Sequence, residues 1–349
     1  MADFPRRTKP ARPGPGGARA AAAKVVSDVV DRGRSLDVAL AEHVSPTMPD
    51  RAFAQQLSYG TLRWYGWLKS ELDPLIYKPL PRSMRQVEAL LLVGLYQIEF
   101  ARLPEHAAVS STVEAVDALG AGPQRALMNG VLRNYLRRRE PVVEAQRVRF
   151  SWPSWIVGEY RKSFGREGAD AALAAGNGEP PMTLRVSLSR VSRDAYRGEL
   201  AEAGIEATDG TLSPAALYLA QAVNVDRLPR FAEGVVAVQD EAAQLAALAL
   251  APITGERVAD LCAAPGGKSA HLLDIAPDLG LLLACDIDSE RLKRVAERLG
   301  ESTPLQLREG DAADPALLAD DPLFDAILVD APCSGLGVVR RHPDIKHLR

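Results

Sequence analysis

Four short apolar runs in the second half of the chain are each followed by an aspartate. These residues are Asp260, Asp286, Asp311 and Asp330. The carboxyl ends of parallel strands meet at one edge of a sheet, so four carboxylates there would face one ligand. Such carboxylates accept hydrogen bonds from ribose hydroxyls and from the amino group of an adenine. One Asp at a strand end is as often a turn or a helix cap, but four in succession favour a binding site.

The first run leads into a glycine turn, Asp260-Leu261-Cys262-Ala263-Ala264-Pro265-Gly266-Gly267-Lys268. A helical pattern follows, with apolar residues at Leu272, Leu273 and Ile275. A strand, a tight glycine turn and a helix N-terminus together form a nucleotide-binding corner. The glycines let the backbone approach a ligand, and the free N–H groups at the helix start favour an anion. That anion is either a phosphate or the carboxylate of an amino-acid-like cofactor.

Two ligands compete for this corner. Gly267-Lys268-Ser269 has the ending of a Walker A loop for ATP, but that loop requires a glycine where Cys262 stands. Asp286 lies 20 residues after Gly266, which is the spacing of a ribose-binding acid after a Rossmann-type turn. The acids therefore favour a cofactor that carries ribose and adenine but no phosphate. S-adenosyl-L-methionine (SAM) fits that description.

The motif series resembles that of the RsmB/NOP family of RNA 5-methylcytosine methyltransferases. The similarity lies in the glycine turn, in Asp286-Ile287-Asp288, in Gly310-Asp311, in Asp330-Ala331-Pro332-Cys333-Ser334-Gly335 and in residues 337–346. It covers nearly the whole chain after the first twenty residues. The resemblance implies a SAM site formed by Cys262, Ala263, Ala264, Pro265, Gly266, Gly267, Lys268, Asp286, Asp311 and Asp330.

The resemblance also implies the chemistry. C5 of free cytosine is a poor nucleophile, so enzymes of this class first add a cysteine thiolate to C6, after which C5 attacks the SAM methyl group. By the resemblance, Asp330 holds the cytosine edge and Cys333 helps to release the product. The family's attacking cysteine belongs to a Thr-Cys-Ser segment that these residues lack. We therefore expect the attacking cysteine to lie beyond Arg349 and residues 1–349 to be inactive. The expected substrate is 16S ribosomal RNA.

Two other interpretations stay open. DNA 5-methylcytosine methyltransferases place their nucleophile in a Pro-Cys pair, which makes Cys333 an alternative attacking residue, although their nucleotide turn is rich in phenylalanine and glycine. In the second interpretation, the chain is an RNA-binding or assembly protein of NusB type with an inactive methyltransferase domain. Retention of the aspartates and of the Pro-Gly-Gly turn argues against that. For Cys262 and Cys285, packing as small apolar residues is favoured over a chemical role.

Composition limits the class of protein. Hydrophobic residues make up 47% and charged residues 25%, as in an ordinary globular protein, and no apolar run reaches the length of a membrane span. The N-terminus lacks the apolar core of a secretory signal. Three cysteines without C-x-x-C spacing argue against disulfides and against a zinc site. We therefore expect a cytoplasmic, monomeric protein without a metal or a membrane partner.

Charge is unevenly distributed along the chain. Residues 1–150 hold 22 Lys and Arg against 15 Asp and Glu, whereas residues 151–349 hold 20 against 30. A basic front half suits contact with a polyanion such as RNA. Within it, residues 1–19 are rich in Pro, Gly and Arg and are predicted to be a disordered tail. The run Arg137-Arg138-Arg139 is either a phosphate contact or a solvated helix end.

Periodicity predicts a multidomain protein with α and α/β parts. Residues 20–140 show helical spacing, which predicts five or six helices around a central buried helix over residues 84–100, with Asp50 as a helix cap. By the resemblance, this is an all-α, NusB-like RNA-binding bundle.

The second half is predicted to hold strands. Residues 141–232 indicate linker helices and a small α+β module that resembles an RNA-recognition-like domain, with Arg185 expected on its surface. Residues 233–349 predict a doubly wound, Rossmann-like, SAM-dependent methyltransferase domain. Its crossover helix is predicted over residues 289–299.

Overall fold

The computed structural model describes residues 16–101, 103–141, 143–300 and 304–349. The chain divides into two compact units. The helical unit comprises Met1–Glu179 and Ser334–Arg349, and the α/β unit comprises Pro180–Cys333. The chain therefore passes from one unit to the other twice, after Glu179 and after Cys333.

Eight α-helices lie in the described part of the helical unit before residue 179. They are α1 (Gly17–Arg32), α2 (Leu36–His43), α3 (Arg51–Leu72), α4 (Arg85–Phe100), α5 (Glu105–Ala118), α6 (Arg125–Arg138), α7 (Glu144–Phe150) and α8 (Ser154–Asn177), which is broken at Gly165. The first six share one apolar core, so the predicted all-α bundle is confirmed.

Helix α4 lies at the centre of this bundle, as its apolar sequence predicts. Every residue from Val87 to Ile98 is buried, and α1, α3, α5 and α6 pack against it. The buried amide of Gln97 accepts a hydrogen bond from Arg19 Nε (2.8 Å) and donates one to Thr112 Oγ1 (3.1 Å). A polar side chain is tolerated there because it is hydrogen-bonded.

Two details of the helical prediction differ in the structure. Asp50 precedes α3, but its side chain makes no capping hydrogen bond, because its backbone (ψ 32°) is not in the extended conformation that a capping residue adopts. Residues 1–15 of the predicted tail lie outside the described residues. Residues 17–19 form the first turn of α1, where Ala18 and Arg19 are buried.

The α/β unit begins with a four-stranded antiparallel sheet. Its strands are β1 (Thr183–Val186), β2 (Ala207–Asp209), β3 (Ala216–Leu219) and β4 (Val236–Val238), in the order β2-β3-β1-β4. Leu184 lies opposite both Leu217 and Val238, and helix α9 (Arg193–Glu202) covers the same core with Tyr196. This arrangement confirms the small α+β module.

A second, parallel sheet follows. Its strands are β5 (Arg257–Asp260), β6 (Leu281–Asp286), β7 (Leu305–Glu309) and β8 (Ala326–Leu328), in the order β7-β6-β5-β8. Its helices are α10 (Glu241–Leu250), α11 (Gly267–Ile275) and α12 (Ser289–Leu299), the last over the predicted residues. The order reverses beside β5, since β6 lies on one side of it and β8 on the other. Ligands of open α/β sheets bind at the carboxyl ends of strands at such a switch point.

Arg185 on β1 is buried, although a lone strand arginine was expected on the surface. It is 5% exposed because both faces of β1 are covered, one by α9 and the other by α10. Burial lowers the pKa of Arg185 to about 10, an effect that Asp274 on α11 partly offsets. Asp274 also accepts a hydrogen bond from Ser187 Oγ (2.6 Å), which joins α11 to the residues after β1.

The last residues return to the helical unit. Helix α13 (Ile345–Leu348) ends the described chain, and Leu348 packs against the core of the bundle. Val339 belongs to a smaller apolar cluster with Trp152 and Ile156.

Candidate cofactor and active site

The glycine turn between β5 and α11 is shaped by main-chain hydrogen bonds. Ala263 N–H donates to the Cys285 carbonyl (2.8 Å), and Gly266 N–H donates to the Ala263 carbonyl (2.7 Å). Gly266 has φ 88°, and a Cβ there would lie 3.2 Å from the Cα of Val295 on α12. Only glycine permits both that backbone conformation and that close approach. The sequence pattern therefore marks a turn that the fold requires.

Asp286 fastens this turn to the end of β6. Its side chain is buried and accepts hydrogen bonds from Ala264 N–H (3.1 Å) and from Asp288 N–H (3.1 Å). The Arg291 guanidinium lies 3.7 Å away. Two carboxylate oxygens offer about four acceptor positions, so capacity remains for a ligand hydroxyl.

Asp260 joins the end of β5 to the first turn of α11. It is 1% exposed, and its Oδ2 accepts a hydrogen bond from Ser269 Oγ (2.7 Å). Its Oδ1 is buried without a partner among the described residues. Burial raises the pKa of Asp260 to about 6, although Ser269 and Lys268 act in the opposite direction. The corner therefore holds a buried acceptor that lacks a donor.

Lys268 and Asp330 meet at the switch point of the sheet. They form an ion pair, which brings the first turn of α11 next to the residues after β8. The pairing follows from the sheet order, because Leu261 N–H donates to the Leu328 carbonyl (3.0 Å) and so aligns the ends of β5 and β8. The Asp330 side chain is 54% exposed and the Lys268 side chain 21%. The two residues were predicted separately, and the structure brings them together.

Asp311 follows β7 and lies near the same edge of the sheet. Gly310 N–H donates to the Asp286 carbonyl (3.1 Å), which places the loop of Asp311 beside Asp286. The Asp311 carboxylate itself is exposed and accepts a hydrogen bond from Ala313 N–H (2.9 Å). Asp288 likewise caps α12 by accepting from Glu290 N–H (3.0 Å). These two acids thus show the turn and cap roles that were the alternative to ligand binding.

The three cysteines differ in exposure. Cys285 is fully buried, and burial raises the pKa of its thiol to about 11. Burial and the nearby Asp286 and Asp260 also raise the pKa of Cys262, which lies in the glycine turn. The thiolate is the nucleophilic form of cysteine, so both environments disfavour attack. Cys333 is exposed and follows Asp330 by three residues.

Arg291 is a contributor that the sequence pattern did not reveal. Its Nη2 donates to the Ala264 carbonyl (2.9 Å), so it supports the glycine turn from α12. The sequence feature that could have revealed this role is a basic residue near the start of a helix, where acidic residues are usual. Pro265, which follows in the turn, is exposed, and its peptide bond to Ala264 is cis.

The run Arg137-Arg138-Arg139, predicted as a possible phosphate contact, is only partly free to bind a phosphate. Arg139 pairs with Glu105 and lies 3.5 Å from Glu99. Arg137 and Arg138 are exposed at the end of α6, where Arg137 donates to Asn134 Oδ1 (3.4 Å). Arg137 and Arg138 therefore face solvent, and neither forms an ion pair with an acidic side chain of the described residues.

In the described ranges, no helix is long and apolar enough to cross a membrane. One group there has metal-ligand geometry: oxygen and nitrogen atoms of Asp28, Glu42 and His43 lie within 4.8 Å of one another. Arg32 and Arg34 already pair with Asp28 at 3.0 and 2.9 Å, so its charge is compensated by the protein.

Comparison with known proteins agrees with this architecture. The NusB family matches residues 17–137, a ferredoxin-like domain of RsmF/B-like methyltransferases matches residues 152–226, and 16S rRNA methyltransferase RsmB/F matches residues 247–349. The crystal structure of PH0851 superimposes with a TM-score of 0.70 over 95% of this chain and 77% of that one, at 22% identity, which supports the fold alone. The protein is thus a multidomain, Rossmann-like methyltransferase.

Relatives identify the family more closely. Ribosomal RNA small subunit methyltransferase B of Vibrio cholerae is 44% identical over 338 residues, which cover 95% of this chain and 77% of the relative. The same enzyme of Pectobacterium carotovorum is 41% identical over 336 residues, with 95% and 78% covered. The chain belongs to the family of ribosomal RNA small subunit methyltransferase B, which confirms the resemblance seen in the sequence.

Proposed function

We propose that this protein methylates C5 of a cytosine in 16S ribosomal RNA, with SAM as the methyl donor. The observation that carries the proposal is the convergence of the glycine turn, the Asp286 carboxylate and the Lys268–Asp330 pair at one sheet edge. Membership of a ribosomal RNA methyltransferase family supports the substrate class. The choice of cytosine C5 rests on the motif Asp330-Ala331-Pro332-Cys333.

The corner suits SAM in its distribution of charge, and SAM when bound supplies an electrophilic methyl group. Asp286 offers acceptor capacity for ribose hydroxyls, and Asp311 is the candidate for the adenine amino group. The start of α11 with Lys268 suits a carboxylate. The unpartnered Oδ1 of Asp260 suits an ammonium group. The main chain of residues 262–267 lines the same turn, and Cys262 stands where an ATP-binding loop needs glycine.

Asp330 is the residue that we assign to the target base. A carboxylate accepts a hydrogen bond from the N4 amino group of cytosine, which gives this base a recognisable edge. The half-exposed side chain of Asp330 leaves room for such a contact while Lys268 orients it through their ion pair. A base inside RNA must first be unstacked to reach this position.

We assign Cys333 to product release rather than to attack on C6. Release breaks the C6–sulfur bond as a base removes the C5 proton, and Cys333 follows Asp330 closely enough to assist in that step. The raised pKa values of Cys262 and Cys285 disfavour both as attacking thiolates. Under this proposal, none of the three cysteines in residues 1–349 is the attacking residue.

Residues 1–349 allow the cofactor and the cysteine roles to be tested together. Calorimetry with S-adenosylhomocysteine and a binding assay with 16S ribosomal RNA should show that both ligands bind. Nucleoside mass spectrometry after incubation with SAM should detect no 5-methylcytidine, because under this proposal none of the three cysteines attacks C6. If 5-methylcytidine forms and Cys333→Ala abolishes it, Cys333 is the attacking residue. If S-adenosylhomocysteine does not bind, the cofactor assignment fails.

A further inference from the structure

A groove lies between α7 and the second half of α8, and it is formed entirely by residues of the helical unit. Its volume is about 380 Å³. The lining residues with charged or large apolar side chains are Glu144, Arg149, Arg161, Arg166, Asp170 and Leu173. The two helices stand apart from the core that α1 to α6 share, and they pack instead around Trp152. The groove is therefore a separate feature of the helical unit.

Three of the lining residues are arginines. Their guanidinium groups form no ion pair with the acids of the described residues, and the buried Nε of Arg161 has no hydrogen-bond acceptor there. Of the two acids in the lining, Glu144 lies 3.6 Å from Arg147 outside it. Asp170 is then left to offset three positive charges. The groove therefore carries a net positive charge, which suits an anionic ligand.

Each helix also carries an exposed phenylalanine beside a groove arginine. Phe150 directly follows Arg149 and is 55% exposed. Phe164 lies one helical turn after Arg161 and is 61% exposed. The Phe164 ring packs perpendicular to the Tyr160 ring, with the ring centres 5.8 Å apart. The structure thus presents two aromatic rings next to positive charge, and one of them is held in place by a second ring.

This combination suits an unpaired RNA strand. An aromatic ring offers a stacking surface to a base, and a guanidinium binds the phosphate beside that base. A double helix hides the faces of its bases, so it would meet only the arginines. An apolar protein surface would cover the two rings but would also desolvate three arginines without supplying acids. Only a single strand matches both features of the groove.

We propose that the groove between α7 and α8 binds a single-stranded segment of the RNA substrate. Phe150 and Phe164 stack on bases, and the three groove arginines contact phosphates. The inference rests on the proposed function only for the choice of RNA as the substrate. Its test uses an RNA that contains no cytosine and omits SAM, so the assignment of cytosine C5 and the groove can fail separately.

The experiment measures how residues 1–349 bind a fluorescein-labelled strand of twelve uridines, by fluorescence anisotropy at several salt concentrations. Phe164→Ala should lower the affinity by about 5- to 150-fold, the effect of losing one stacked base, and should leave the salt dependence unchanged. Arg166→Gln should lower the slope of log affinity against log salt concentration by about 0.7, the value for one phosphate of a single strand. A loss of folded protein would lower the affinity in both variants without changing that slope.

Trp155→Ala is the matched control for the stacking variant. Trp155 lies on the same helix and is 44% exposed, but it precedes Phe164 by nine residues, which is two and a half turns and therefore the opposite face. This variant should bind the strand as the unmodified chain does. Phe164→Leu keeps an apolar side chain of similar size and should still weaken binding, which guards against a folding defect in Phe164→Ala.

Three results would overturn the proposal. The first is equal loss of affinity in Phe164→Ala and Trp155→Ala, and the second is an unchanged salt slope in Arg166→Gln. The third is no binding of the uridine strand to the unmodified chain, which would favour a protein as the occupant of the groove. A uridine–adenosine duplex of the same length provides a further check, because its binding should not respond to Phe164→Ala.

Discussion

Replacing Asp286 by Asn perturbs the acid that ties the glycine turn to the end of β6. The carboxylate accepts from Ala264 N–H and from Asp288 N–H, both at 3.1 Å, within a buried site. An amide of the same shape has one acceptor oxygen, so one of these N–H groups loses its partner. An unsatisfied buried donor costs about 1–3 kcal/mol, and we expect the stability of the α/β unit to fall by that amount.

The same change should weaken binding of S-adenosylhomocysteine. A hydrogen bond to a charged group contributes about 1.5–3 kcal/mol, which corresponds to roughly 10- to 150-fold in affinity. Isothermal titration calorimetry on residues 1–349 measures it directly. ATP, tested at the same concentrations, should not bind, because Cys262 replaces the glycine that a phosphate loop needs.

Asp288→Asn is the matched control for that experiment. Asp288 lies two residues further on, is exposed and caps α12 through Glu290 N–H and Arg291 N–H. Asparagine caps a helix about as well as aspartate, so this variant makes the same chemical change two residues away while the cap and the ribose acceptor are both kept. If Asp286→Asn binds S-adenosylhomocysteine within threefold of the unmodified chain, or if Asp288→Asn weakens it equally, the ribose role of Asp286 is refuted.

Two further predictions concern the helical unit. Charge reversal of Arg137 or Arg138 should lower the slope of log affinity for 16S ribosomal RNA against log salt concentration by about one for each residue. Arg139→Glu should change that slope less, because Glu105 already pairs with Arg139. Equal slopes for the three variants would contradict the phosphate role. His347 has its pKa lowered by burial from 6.5 to about 4. The unfolded chain therefore binds more protons between these values, and the helical unit should lose up to about 3 kcal/mol as pH falls from 6.5 to 4. Unit-resolved hydrogen exchange with His347→Gln checks this, since the variant should lose most of that dependence and an unchanged profile would contradict it.

The elements that carry strong periodicity could be predicted from the sequence. The apolar residues of α4 and the crossover helix α12 gave clear helical patterns, and the strand ends of the parallel sheet followed from apolar runs that stop at acids. The glycine turn could be predicted because Gly266 must adopt a backbone conformation that other residues rarely adopt. Family resemblance supplied the rest of the domain architecture.

What could not be predicted depends on contacts between distant residues. The Lys268–Asp330 pair joins positions 62 residues apart and requires the sheet order, which the local pattern does not specify. Arg185 was expected on the surface because nothing near it in sequence shows that α10 covers β1. The burial of Lys346 likewise depends on Arg63 and Asn177, which are far away along the chain. A charged segment gives no local sign that such partners exist.

Bisulfite sequencing of 16S ribosomal RNA tests the central claim most directly. The comparison is between cells with the intact gene, cells without it, and cells with an Asp330→Asn variant of it. We predict that one cytosine is protected from conversion only when the intact gene is present, because Asp330 is the residue assigned to the base edge. Loss of the gene without a change at any cytosine of 16S ribosomal RNA, or full protection with Asp330→Asn, would contradict the proposed reaction.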